Sequence, residues 1–151
     1  MSKVAFFYSF ILFAGFSACD KGQRILKNDI EKIEEYLDDN NLSAERTAND
    51  LFYIIEEEGN GEFPDLSSEV TVDYHGYLLN GSVFDSSLDR GEPFEFFLTE
   101  VIRGWREGIP LFSKGGKGKL FIPSHLAYGE AAQTNIPANS VLIFDIHLID
   151  F

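Results

Sequence analysis

At 151 residues with 44% of them hydrophobic, the chain is sized for one domain with small additions and a packed core. A formal net charge of −13 argues against nucleic-acid partners, because phosphates would be repelled. Aromatics reach 15%, with 15 Phe but 1 Trp, which favours a large apolar core, a binding cleft or both.

Residues 4–18, VAFFYSFILFAGFSA, form an apolar run behind Lys3. The run is short for a membrane span and suits the hydrophobic region of a secretory signal, so a signal peptide is expected over residues 1–18. Small Ser17 and Ala18 precede Cys19, the sole cysteine. That pattern resembles a bacterial lipobox. The resemblance implies cleavage before Cys19, acylation of its thiol (palmitate among the acyl groups) and a lipid anchor on the periplasmic side of the cell envelope. Phe16 departs from it, standing where an aliphatic residue is usual. Ordinary signal cleavage nearby, leaving Cys19 as a free thiol or removing it, is the alternative reading. No intrachain disulfide is available either way.

Residues 19–50 read as a lipidated tether and an amphipathic helix. Asp20-Lys21-Gly22 is a short polar tether. Leu26, Ile30, Ile33 and Leu37 then make one helical stripe, with Glu31, Glu34, Glu35, Asp38 and Asp39 elsewhere on the cylinder. The spacing predicts a helix over residues 24–39, ended by Asn40-Asn41, that docks on the domain or pairs with a copy of itself. Acids crowd residues 28–58 against only Lys32 and Arg46, as a solvated face does.

Residues 42–50 read as a linker, and a domain is expected over 51–151. Leu51 to Ile55 is β-branched and aromatic, so a strand. Val70 to Leu78 is a second strand, Asn80-Gly81 a hairpin signal, and Val83 to Asp85 resumes the sheet. Pro93 to Leu98 alternates with period two. Val101 to Ile109 is the plausible internal helix, closed by Gly108 and Pro110. Lys119 to Pro123 and Ser140 to Phe151 complete the strands. The pattern predicts an α+β fold: a twisted antiparallel sheet around one short helix, preceded by the N-terminal amphipathic helix.

His75, His125 and His147 lie far apart and lack metal-ligand spacing, so no metal and no cofactor is expected. Gly115-Gly116-Lys117-Gly118-Lys119 has the wrong spacing for a phosphate loop and reads as a basic turn. Ser86, Ser87 and Asp85 sit near no obvious base, which leaves a hydrolytic triad without support.

The aromatic motifs remain: Val72-Asp73-Tyr74-His75-Gly76, Phe84-Asp85-Ser86-Ser87, Pro93-Phe94-Glu95-Phe96, Val101-Ile102-Arg103-Gly104-Trp105, Ala127-Tyr128-Gly129, Ile136-Pro137 and Leu142-Ile143-Phe144-Asp145. Their order from about Gly61 to Phe151 resembles the FKBP-type peptidyl-prolyl cis-trans isomerases, the tacrolimus-binding immunophilins. The resemblance implies a sheet wrapped around one short helix. It implies Trp105 as pocket floor and Tyr74, Phe84, Phe94 and Phe144 as walls. Val101 and Ile102 would form the rim, with the Ile102 N–H facing substrate. Tyr128 would donate its hydroxyl to a substrate carbonyl, and Asp85 would supply the one polar acceptor. Tyr74, Asp85, Trp105 and Tyr128 are thereby the catalytic candidates, with Ala127 and Ile136 among the substrate-binding ones. Proline-containing polypeptides are the implied substrates and tacrolimus-type macrolides the implied inhibitors.

Two positions depart from the family pattern: the loop Glu130 to Asn135 is short, and Ala138 follows Pro137 where many members have a second proline. The lipobox and acidic tether also resemble envelope FKBP lipoproteins of gliding bacteria, an analogy that carries no motility role by itself. The expected activity is X–Pro isomerisation during folding of exported proteins. The rival is an envelope chaperone or assembly factor that holds proline-containing segments with little turnover.

Overall fold

The computed structural model describes residues 16–151. The signal-peptide reading rests on residues 1–15 for most of its length, and that part lies outside the described residues. Among the described residues no helix is long and apolar enough to cross a membrane.

Helix α1 runs Phe16–Asp39. It starts upstream of the predicted residue 24 and passes through the expected tether. No proline interrupts it there, and Gly22 costs about 1 kcal/mol relative to alanine, which a helix of this length absorbs. Its C-terminus is as the asparagines predict. Asn41 takes a left-handed φ of 53°, Leu42 N–H donates to the Leu37 carbonyl and Asn41 N–H to that of Asp38. This is a Schellman closure, with Leu42 and Leu37 in the same apolar cluster.

Among the described residues, seven strands form one antiparallel sheet: β1 (Glu45–Arg46), β2 (Phe52–Glu57), β3 (Glu69–Leu78), β4 (Val83–Ser86), β5 (Phe94–Phe97), β6 (Lys117–Ile122) and β7 (Leu142–Asp150). Their order is β1-β2-β6-β7-β3-β4, with β5 beside the first half of β3. β1 lies in the expected linker; two residues are too few to show a period. A one-turn helix, α2 (Ser87–Arg90), adds to the single internal helix expected, and the Ser86 hydroxyl caps it by accepting from Asp89 N–H. The predicted Val101–Ile109 helix is α3 (Arg103–Gly108), continued by a 3₁₀ turn over Ile109–Leu111. Val101 and Ile102 are extended instead, with ψ of 173° and 151°.

Strand alternation sorts side chains onto two faces. Val70, Val72 and Tyr74 of β3, Leu120 and Ile122 of β6, and Leu142, Phe144, Ile146 and Leu148 of β7 point to one side, where they pack with Trp105, Ile109 and Phe112. Phe121, Ile143 and Phe52 point to the other side and receive Ile33 and Leu37 of α1. The α1 stripe therefore docks on the sheet through Ile33 and Leu37. Two glycines let α3 lie close on its face. A Cβ on Gly104 would collide with the Ile122 side chain, and one on Gly108 would meet Leu120 Cδ1 at 2.6 Å.

Candidate active site

Trp105 enters in the first turn of α3 and is 4% exposed. Around it stand Tyr74, Phe96 and Phe144, each with its ring centroid 5.1 Å away; Tyr74 and Phe144 are edge-on at 81° and 75°. Phe84 meets Phe144 edge-on at 5.4 Å, and Phe94 stacks on Phe96 at 4.8 Å. Edge-to-face packing of this kind fixes ring orientation beyond what burial alone would. The result is a cleft of about 760 Å³ with Trp105 at its base.

The extended Val101 and Ile102 form one lip, since the chain reaches α3 only after passing the cleft. The Ile102 carbonyl accepts from the Trp105 and Arg106 N–H groups, tying the lip to the floor. Opposite lies Tyr128, 40% exposed, in a loop where Gln133 and Ile136 pair through both backbone groups. That pairing sets Ile136, 7% exposed, into the cleft with Gln133 and Thr134 at its mouth.

One polar cluster interrupts the apolar wall. The Tyr74 hydroxyl donates to Asp85 Oδ2, and Arg90 pairs with Asp85 Oδ1. A second Arg90 nitrogen donates to the Tyr74 oxygen at 3.0 Å, while the guanidinium carbon lies 5.5 Å from the Tyr74 ring centre. Burial, joined by the Asp85 carboxylate, pushes the Tyr74 hydroxyl above its ordinary range, with Arg90 opposing. The hydroxyl thus stays protonated and donates at neutral pH.

Of the residues expected here, Tyr74, Phe84, Asp85, Phe94, Val101, Ile102, Trp105, Tyr128, Ile136 and Phe144 line the one cleft. Ala127 does not; it packs against the inner core. Asp85 is not a lone acceptor, since each oxygen already takes a bond within the protein and keeps a further lone pair. Arg90, Glu100, Gln133 and Thr134 also line the cleft and were missed by sequence reasoning. For Arg90 the signal was present: a cation five residues after Asp85, returned toward it by the Ser86-capped turn. Among the described residues, His, Cys, Asp and Glu form no group of three that would hold a metal ion.

The family model for FKBP-type peptidyl-prolyl cis-trans isomerase matches residues 60–149. The chain is similar to the FKBP-type peptidyl-prolyl cis-trans isomerase FkpA of Escherichia coli K12, 51% identical over 100 residues, or 66% of this chain and 37% of that protein. The protein of the same name from Aeromonas hydrophila is 47% identical over 121 residues, covering 79% and 45% of the two chains. The chain thus spans less than half the length of these relatives. The crystal structure of E. coli FkpA superposes with a TM-score of 0.74 at 42% identity, covering 89% of this chain and 64% of that one. That of AtFKBP13 gives 0.66 at 36% identity, covering 71% and 97%.

Proposed function

The chain belongs to the FKBP-type peptidyl-prolyl cis-trans isomerase family, and from that premise we propose that it accelerates cis-trans isomerisation of X–Pro bonds in proline-containing polypeptides. The observation that carries the reading is the buried Trp105 floor ringed by Tyr74, Phe96 and Phe144, with the Tyr74–Asp85–Arg90 cluster set in the wall beside it.

Rotation about a peptide bond must break amide resonance, a barrier of about 18–20 kcal/mol. Unaided X–Pro isomerisation takes tens to hundreds of seconds. A twisted amide has lost resonance and part of its charge separation, so it gains less from water than the planar form does. An apolar floor that fits the proline ring binds the twisted form preferentially, and such differential binding is catalysis. Each 1.4 kcal/mol of that difference is worth about ten-fold in rate. No nucleophile is required.

The rim orients the substrate. Among the described residues, the Ile102 N–H makes none of the backbone hydrogen bonds found in the loops and caps, and it donates to a substrate carbonyl. Tyr128 donates its hydroxyl from the facing loop. Asp85, held by Tyr74 and Arg90, presents its remaining lone pairs to the rotating amide. Tacrolimus-type macrolides compete for the same floor.

The lipobox resemblance extends the proposal to location. Cleavage before Cys19 and acylation of its thiol anchor the protein to a membrane of the bacterial envelope, periplasmic side, where exported chains fold. The acyl group then sits at the start of α1.

The deciding experiment follows isomerisation of a short proline peptide with and without tacrolimus. Acceleration that the macrolide abolishes supports the enzyme. Tight peptide binding by the folded protein with no acceleration sinks it and leaves a holding role.

A further inference from the structure

Asp29 is a carboxylate the isomerase mechanism does not use, and it is 1% exposed. It lies on α1, one turn before Ile33, and reaches across to the turn that follows β6. Its Oδ2 accepts from Ser124 N–H at 2.9 Å and from the Ser124 hydroxyl at 2.5 Å. Ser124 is equally buried, at 1%. A buried carboxylate taking two bonds from one residue fixes that residue in both backbone and side chain.

What Ser124 holds is the Tyr128 turn. Its carbonyl accepts from Ala127 N–H at 3.0 Å and from Gly129 N–H at 2.8 Å, the two residues that flank Tyr128. Leu126, in the same 3₁₀ turn, is fully buried and anchors the middle. A second tie runs from α1 to the far side of the loop, where Lys21 Nζ lies 2.6 Å from Glu130 Oε1. Both of those side chains are more than half exposed, so this pair adds little by itself. The buried link is the one that sets geometry.

We infer that Asp29 is a positioning residue for the pocket, acting through Ser124 to aim the Tyr128 hydroxyl, so that the N-terminal helix is a working part of the site. This rests on the isomerase reading for its consequence in turnover, while the structural coupling stands without it. The chain of contacts is short and continuous: helix carboxylate, serine, two flanking amides, tyrosine. Without Asp29, the Ser124 N–H and hydroxyl lose their shared acceptor in a buried place, and the turn must shift to satisfy them. Tyr128 then samples orientations that miss the substrate carbonyl.

The test is a double-mutant cycle on the full chain, with Asp29→Ala and Tyr128→Phe singly and together, read as kcat/KM on a proline peptide. Asp29→Ala is expected to lower kcat/KM by roughly three- to ten-fold. Tyr128→Phe then costs clearly less in the Asp29→Ala background than in the wild type, because its hydroxyl is already misplaced. Asp29→Asn, which keeps an acceptor oxygen for Ser124, recovers most of the rate. Losses that multiply within about two-fold of independence overturn the inference, as does Asp29→Ala that melts lower yet turns over normally. Should Asp29→Ala fail to fold, Ser124→Ala, which removes the hydroxyl alone, enters the same cycle with the same criteria. If the wild type itself shows no turnover, the isomerase reading has failed. The cycle is then read as proline-peptide affinity through Trp105 fluorescence, where coupled losses support the positioning role and independent ones overturn it.

Discussion

The Tyr74 hydroxyl donates to the Asp85 carboxylate, joining β3 to β4 at the wall of the cleft. Arg90 binds the same carboxylate from α2, so Asp85 is the shared partner of a strand tyrosine and a helix cation. Tyr74 is 5% exposed, whereas the Asp85 and Arg90 side chains are nearly half exposed. The hierarchy of effects follows from that difference. Asp85→Ala strips a buried hydroxyl of its acceptor and is expected to cost about 1–3 kcal/mol of stability in urea denaturation. Arg90→Ala breaks a solvent-screened pair and is expected to cost less than Asp85→Ala. A larger loss for Arg90→Ala would show that Asp85 is not the hub.

Trp105 is the single tryptophan and lines the cleft, so its emission reports occupancy. A proline peptide or macrolide on the indole should shift that emission, and titration gives the affinity. Tyr128→Phe is expected to weaken peptide binding by about 0.5–1.5 kcal/mol, the net worth of one hydrogen bond, with little change in stability because Tyr128 is substantially exposed. Unchanged affinity in the variant would remove the tyrosine hydroxyl from the recognition scheme.

Gly104 and Gly108 face Ile122 and Leu120 across the α3–sheet contact. Gly104→Ala or Gly108→Ala places a methyl group where β6 side chains already sit, and overpacking of this kind costs about 1–3 kcal/mol. The helix gains about 1 kcal/mol of propensity from the same change, so a net loss measures the clash. Because Trp105 rides on α3, the variants should also lower peptide affinity. A stabilised Gly104→Ala protein would mean that the helix lifts off the sheet at no expense.

The sheet was legible because it rests on side-chain periodicity, and most of the cleft because its ordered aromatic motifs resemble those of a known family. β3 shows this best: Val70, Val72 and Tyr74 alternate inward, and the sequence displays that alternation directly. Arg90 was harder, since its place depends on a four-residue helix whose only local cue is the Ser86 cap. Gln133 and Thr134 reach the mouth through a backbone pairing of Gln133 with Ile136, which no side-chain pattern encodes. Ala127 went the other way: the resemblance implied a place in the pocket, but Ala127 is absent from the cleft lining and packs against the core. The bond from Asp29 to Ser124 spans most of the chain, and a lone acid on a helix already rich in acids gives no hint of it.

On the outer face of β3, the Tyr77 hydroxyl donates to Asp145 at 3.1 Å. Burial, followed by the nearby Asp145 and Tyr36, raises its ionisation well above the ordinary 10.0. Lys119, 2.6 Å from Asp145, is also raised: burial opposes its charge, but Asp145 and Glu56 outweigh that. Both groups bind their protons more tightly in the folded chain. Their contribution is complete below the unfolded value near 10 and is lost as pH climbs toward the folded one. Denaturation midpoints should therefore fall from about pH 10 upward, and Tyr77→Phe should flatten that fall. A variant with the wild-type alkaline slope would exclude Tyr77 as a source.

Cys19→Ser tests the anchor. With acylation, the wild type partitions to membranes and its mature mass carries the lipid, while the variant is released and lighter. Identical fractionation and identical unmodified mass in both would refute the lipoprotein reading.

β7 follows every other strand along the chain, yet it lies between β6 and β3. It also brings Phe144 against Trp105. A molecule in which β7 is still unpaired therefore has a floor without its far wall, and no cleft to offer. By the proposed function, this protein would shepherd the prolines of other chains, but it cannot do so for its own while its sheet is open.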